Sequence, residues 1–246
     1  MSEADLCREF IGGLPRGWTA YPETGGFDIL LSRDADGFQI GVEAKLTLNA
    51  KVICQAAEAR SIWSVAASGP DCRAVLVPES KTRRNDFGKL LDLLNIVVIT
   101  FQSNGNYGHI INPQLPQFDG YGPATSWPEF APVSRISLPD YVPDVIAGDS
   151  APVRLTDWKV KAIKIALTLE KRGWIARQDF KHFQISMSMW TQNGWIAQRP
   201  GEKVWRSKDV PDFRVQHPVN FAQIEADYEK WKAPMPEVQI PMEFAP

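Results

Sequence analysis

With 246 residues, 44% hydrophobic and 23% charged, the chain is long enough for one large domain or two ordinary ones and has the composition of a soluble globular protein. No basic stretch followed by an apolar run opens it, and nowhere do eighteen apolar residues follow one another; a signal peptide and a membrane span are not expected, and a cytoplasmic protein is. The net charge of -2 hides a segregation: residues 1–120 hold 11 Lys/Arg against 14 Asp/Glu, residues 121–150 hold 1 against 4, residues 151–217 hold 13 against 6, and residues 218–246 hold 2 against 5.

In chain order, Ser2 is placed to cap a helix through about Gly12, with Leu6, Phe10 and Ile11 at helical spacing and Asp5 and Glu9 on another face. A short strand at Trp18–Tyr21 precedes two longer ones, Phe27–Leu31 and Phe38–Lys45, joined by a hairpin at Asp34–Gly37. Asn49 then caps a helix to about Ala67, with Val52, Ile53, Ala56, Ala57 and Trp63 available for burial. The strand Arg73–Val77 follows as a parallel partner reached by a right-handed crossover. A helix near Asn85 to Leu94 and a strand at Ile96–Phe101 extend the sheet.

From Gln102 to Pro152 the prolines and glycines argue against regular structure. Tyr107, Phe118, Tyr121, Trp127, Phe130 and Tyr141 instead predict an extended strap laid over one or both domains. Beyond it, Thr156 caps a helix to about Arg172, followed by short helices near Gln178–Phe183 and Ser186–Asn193. Trp195–Gln198 and Lys203–Arg206 flank an Arg199-Pro-Gly-Glu202 turn of type II character. Trp158, Trp174, Trp190, Trp195 and Trp205 are expected to fill the small core of this segment. The organisation expected is thus 1–101, a strap over 102–153, a basic module over 154–217, and a C-terminal helix with an extended tail over 218–246. Cys7, Cys54 and Cys72 are odd in number and lack ligand spacing, so buried free thiols are expected rather than a disulfide framework.

Chemistry concentrates at Asp28 and the Glu43-Ala44-Lys45 triplet. An acid two residues before a lysine also occurs at Glu79-Ser-Lys81 and Asp157-Trp-Lys159, so composition alone yields such triplets, and position decides between them. Glu79 follows a strand-ending proline, and Asp157 begins a helix, where an acid suits the dipole. Glu43 and Lys45 share one strand at a gap of two, on one face, after an acid-bearing strand.

On those residues, 1–78 resemble the core of the PD-(D/E)xK nuclease superfamily, whose order is helix, three-stranded meander, crossover helix, strand. Phe27 stands where the family usually has proline. The resemblance implies an α/β fold with a restriction endonuclease-like mixed sheet and flanking helices. It makes Asp28 and Glu43 ligands of Mg2+ or Mn2+ with the Ala44 carbonyl, and gives Lys45 the role of orienting water or stabilising developing charge. Glu9 would match the acid that some members carry on the first helix, and Gln55 a glutamine that assists the site. Since many members cut both strands as dimers, a homodimer is among the implied assemblies.

The three helices and hairpin of the basic segment resemble winged helix-turn-helix modules over about 55 residues, implying a small α+β domain. Carried over, Ser186, Ser188, Thr191 and Gln192 would face bases, and Arg199, Lys203 and Arg206 would contact phosphates. A phosphate backbone responds to local charge, so an acidic chain can bind DNA through such a module. The expectation is a metal-dependent deoxyribonuclease. The alternative is a non-catalytic DNA-binding or protein-interaction factor on the same scaffold. In the tail, Gln239, Met242 and Phe244 loosely resemble peptides that dock on replication clamps.

Overall fold

The computed structural model describes residues 1–58, 68–79, 87–104, 108–118, 127–149 and 153–236. Ser2 starts helix α1 (Glu3–Gly12) with a reciprocal capping box: its hydroxyl accepts from the Asp5 N–H at 3.1 Å, and the Asp5 carboxylate accepts from the Ser2 N–H at 2.8 Å. Strands β1 (Trp18–Pro22), β2 (Ile29–Arg33) and β3 (Gln39–Ala44) form an antiparallel meander. Helix α2 (Ala50–Glu58), capped by Asn49, leads across to β4 (Cys72–Pro78), which pairs parallel with β3. Helix α3 (Gly88–Leu94) leads to β5 (Ile96–Asn104), parallel to β4, and β6 (Gly108–Asn112) returns antiparallel at the edge. The unit is therefore α/β, a six-stranded mixed sheet in the order β1-β2-β3-β4-β5-β6 with flanking helices.

Alternate residues serve opposite faces of that sheet. Ala74, Leu76, Val97, Ile99 and Phe101 pack with α1, whereas Val75, Val77, Ile96 and Val98 pack with Val52 and Ile53 of α2 and Leu91 of α3. Burial on both faces explains why β4 is a nearly continuous apolar run. Cys7 and Cys72 are buried free thiols, but Cys54 is exposed, because Val52, Ile53 and Ala56 form the packed face of α2 and position 54 turns away from it.

Three expectations change. Strand β2 begins only at Ile29 and β3 ends at Ala44, so Asp28 and Lys45 flank the strands rather than lie on them. The cause is local: the Asp28 carboxylate takes the Ala44 N–H at 2.8 Å, a side chain accepting where a strand partner's backbone would. Second, β5 runs past Phe101 and β6 follows, within a stretch expected to be irregular. Both strands precede Pro113, and the prolines that gave that stretch its character lie beyond them. The expected continuation of α2 to Ala67, with Trp63, and the start of the next helix at Asn85 lie outside the described residues, as do Tyr107, Tyr121, Lys81, Gln239, Met242 and Phe244.

Third, the described strap segments belong to the sheet unit, which spans Met1–Arg154. Trp127 donates its indole N–H to the Gln114 carbonyl at 2.9 Å, and the Phe130 N–H bonds to the Asp71 carbonyl at 2.8 Å. Gln39 clamps Ile136 from both sides, donating to its carbonyl at 2.8 Å and accepting from its N–H at 2.9 Å. These bonds satisfy strap backbone groups that a free linker would leave to water.

The second unit, Leu155–Pro246, is described by itself. Thr156 caps α4 (Asp157–Arg172), and the short helices α5 (Arg177–His182) and α6 (Met187–Gln192) follow. Strands β7 (Ile196–Gln198) and β8 (Trp205–Ser207) pair antiparallel, and Ile175 adds an isolated bridge to Trp205. The Glu202 N–H bonds back to the Arg199 carbonyl at 3.1 Å, and Gly201 has φ 82°, as a type II turn requires. Helices α7 (Phe213–Gln216), α8 (Pro218–Ala226) and α9 (Tyr228–Trp231) complete the unit. Trp190, fully buried, lies edge-on to Phe180 at 5.8 Å and to Trp195 at 5.4 Å, and Trp205 is buried as well, so Trp190 and Trp205 belong to the core, whereas Trp158, Trp174 and Trp195 are half-buried at its margin. No helix among the described residues is long and apolar enough to cross a membrane.

Candidate active site

The meander and the crossover bring acids to one end of the sheet. Gly41 in β3 lacks a side chain because the Phe27 ring occupies that space: a Cβ there would lie 2.5 Å from it. With Phe27 seated on β3, Asp28 follows beside Ala44, whose N–H it binds. Glu43 immediately precedes Ala44 and is only 5% exposed. Lys45 comes next, at the C-terminal end of β3, where its N–H still pairs with the Leu76 carbonyl of β4 at 3.0 Å. In open α/β sheets this end of the parallel strands is where ligands bind.

Burial pushes the Glu43 carboxyl up to about 8, the neighbouring charges of Asp28, Glu23 and Glu58 adding to it and Lys45 opposing. Asp28 is raised as well, by burial against the lowering bond from Ala44. For Lys45 burial acts downward, but the hydrogen bond and charge of Glu3 with the charges of Asp28 and Glu43 prevail, and its net direction is upward. The ammonium therefore stays charged at neutral pH.

Helix α1 contributes to this end of the sheet through Glu3, whose carboxylate lies 2.5 Å from the Lys45 ammonium. Glu9, expected in that role, is six residues on, roughly a third of a turn away around the helix. The signal that favours Glu3 is its spacing: Glu3, Cys7 and Phe10 follow one helical stripe, and Cys7 and Phe10 are buried. Gln55 lies three residues before Glu58 on the same side of α2, and Glu58 is a charge that Glu43 senses. The Gln55 side-chain oxygen is buried without a hydrogen-bond partner among the described residues.

Glu23 was not foreseen. Its carboxyl is 4% exposed, raised by burial, and accepts from the Gly148 N–H at 3.0 Å and from Arg154 at 3.1 Å. Its own N–H bonds to the Asp28 carbonyl at 2.9 Å. The sequence held a faint signal in Pro22-Glu-Thr-Gly-Gly, a turn whose acid sits at positive φ, 50°.

The donor set can be weighed against a divalent ion. Among the described residues no group of three or more His, Cys, Asp and Glu side chains is gathered to hold a metal. Asp28 and Glu43 are two oxygen donors, and Mg2+ is ordinarily held by one or two carboxylates while keeping several waters. Burial raises the proton affinity of both carboxyls, with the charge of Asp28 adding to the effect on Glu43 and the charge of Glu3 to that on Asp28, and such a setting suits an ion that takes the place of the proton.

In the second unit Ser186, Ser188, Thr191 and Gln192 are all exposed on or beside α6. Ser186 is the N-cap and shares a 2.6 Å hydroxyl bond with Ser188, and Thr191 bonds the Ser188 carbonyl at 3.0 Å. Arg199 and Lys203 are exposed at the hairpin, whereas Arg206 is half-buried and paired with Glu202 at 3.2 Å. The basic island is also less free than its charge count suggests. Arg154 belongs to the first unit, while Lys171 and Arg214 pair with Glu225 of α8, Lys161 with Asp157, and Arg172 with buried Asp179.

No family model, curated protein or solved structure matches the chain.

Proposed function

We propose that the chain is a metal-dependent nuclease of restriction endonuclease-like architecture, acting on DNA, with a winged-helix-like module that adds nucleic-acid affinity. The observation that carries this reading is the placement of Asp28, Glu43 and Lys45 at one end of the sheet, with Glu43 buried and raised to about 8 by burial and its acidic neighbours. Buried like charges are costly, and they are understandable where a cation is to be held.

In this reading Asp28 and Glu43 hold Mg2+ or Mn2+ with the Ala44 carbonyl, and the Ala44 N–H fixes the Asp28 carboxylate. A bound divalent ion supplies Lewis acidity and makes water a nucleophile at neutral pH. Lys45, kept charged and tethered by Glu3, faces the charge that develops on the phosphoryl oxygens and orients the attacking water. Gln55, whose side-chain oxygen has no hydrogen-bond partner among the described residues, offers it to a water or to substrate. In the second unit the exposed polar face of α6 meets base edges, and Arg199 and Lys203 meet phosphates.

The test is incubation of purified protein with linear, nicked, branched and single-stranded DNA in Mg2+ or Mn2+. Wild-type protein should cut at least one of them, and Asp28→Ala, Glu43→Ala and Lys45→Ala, each checked for folding, should not. Cutting by all three variants would sink the assignment. DNA binding with no cutting by wild-type protein would favour the scaffold reading instead.

A further inference from the structure

The last described part of the strap returns to the candidate site, and its contacts there are specific. Ala147 is 3% exposed in the core beneath α1. Gly148 takes φ 71°, and a Cβ at that position would lie 3.1 Å from the Cys7 sulfur and 3.3 Å from the Glu3 backbone. The strap thus passes directly against the turn of α1 that carries Glu3. Six residues on, Arg154 bonds the second oxygen of Glu23, whose first oxygen holds Gly148.

Glu23 and Arg154 differ sharply in exposure, 4% against 57% for their side chains. A buried carboxylate needs compensation, and Arg154 provides part of it. One guanidinium nitrogen suffices for that bond, however, and an arginine has five N–H donors in a planar fork. The charge of Arg154 also reaches Asp28, where it favours the ionised form. Around this end of the sheet Glu3, Glu23, Asp28 and Glu43 are all acids, and Lys45, the cation beside them at the end of β3, is committed to Glu3. An incoming polyanion meets a field of the wrong sign unless another cation faces it.

We propose that Arg154 is a substrate-contacting residue of this site, presented by the strap, oriented by Glu23, and binding a phosphate of the nucleic acid beside the one to be cut. The assignment rests on the nuclease reading of Asp28, Glu43 and Lys45 and adds a phosphate clamp that lies outside the triplet. Guanidinium and phosphate match as a bidentate pair, so the fork can keep one edge on Glu23 and offer the other to the backbone.

The competing explanation is that Arg154 only neutralises Glu23. Glu23→Gln separates the two, because its amide oxygen still accepts from Gly148 while no buried charge remains to be balanced. The experiment compares DNA cleavage in Mg2+ by wild-type protein, Glu23→Gln, the double variant Glu23→Gln/Arg154→Ala, and Arg154→Lys, with a thermal melt of each. If Arg154 holds phosphate, the double variant cuts about 10- to 100-fold more slowly than Glu23→Gln, the loss expected of a charge-assisted hydrogen bond. Arg154→Lys then falls between wild type and that loss, with an unchanged melt. Equal cutting by Glu23→Gln and the double variant, or full activity in Arg154→Lys, overturns the assignment and leaves the nuclease reading standing. Wild-type protein that cuts nothing removes both.

Discussion

Burial next to Asp28 and Glu23 pushes the Glu43 carboxyl up to about 8, while in the unfolded chain it returns to the ordinary carboxylate range. Between those two values the folded protein holds a proton that the unfolded chain has lost, so stability falls as pH rises, by at most about 1.4 kcal/mol per pH unit, and levels off above the folded value. In EDTA the melting temperature of wild-type protein should therefore drop more between pH 5.5 and 8.5 than that of Glu43→Gln, and parallel curves would contradict the buried-carboxyl account. Gly148→Ala should destabilise by about 1–2 kcal/mol for its left-handed backbone alone. It should also lower any Lys45-dependent activity, since the new methyl presses on the Glu3 backbone. At this scale the triplet and Asp28 were legible because polar residues interrupt apolar strand runs. Glu3 and Glu23 were not. Each lies next to a cap or turn, where an acid has an ordinary explanation, and only long-range contacts bring them to the cluster.

Secondary-structure elements place these side chains, and their ends matter more than their middles. The Ser2 capping box sets where α1 begins and hence where Glu3 stands. Ser2→Ala should cost about 1 kcal/mol, read by chemical denaturation, and the loss should be smaller in a Glu3→Gln background if the cap also serves the Lys45 tether. Gly41→Ala is the harsher change, because its methyl would collide with the Phe27 ring in a packed strand; a cost of about 1–3 kcal/mol is expected. Periodicity made α1, the meander, β4, α4 and the hairpin readable from local spacing. Strand β6 escaped because its Gly108-His-Ile-Ile-Asn112 run is short and sits upstream of a proline-rich stretch that dominated the reading. The pairing that makes it a strand comes from β5, a partner that no local pattern reports.

For the molecule as a whole, the segment counts overstated the basic charge that is free to meet a polyanion. Glu225 alone engages Lys171 and Arg214, and Arg206 is already held by Glu202. Each phosphate neutralised contributes a slope of about -0.9 to the dependence of log affinity on log salt. Lys203→Ala should therefore reduce the slope by roughly 0.9, while Arg206→Ala should change it less; equal effects of the two single changes would show that the Glu202 pair opens on binding. The charge asymmetry was legible from counting, but which cations are already paired was not: Glu225 reaches Lys171 and Arg214 from α8, which counting by segment separates, and Glu202, Asp157 and Asp179 hold others within the segment itself. The central claim, that Asp28, Glu43 and Lys45 act with a divalent ion on phosphodiesters, is tested most directly by cleavage of labelled DNA at pH 8 by wild-type protein and folded Glu43→Gln, each in Mg2+ and in EDTA. The account predicts cutting only by wild-type protein in Mg2+; cutting that persists in EDTA, or at the wild-type rate in Glu43→Gln, would contradict it.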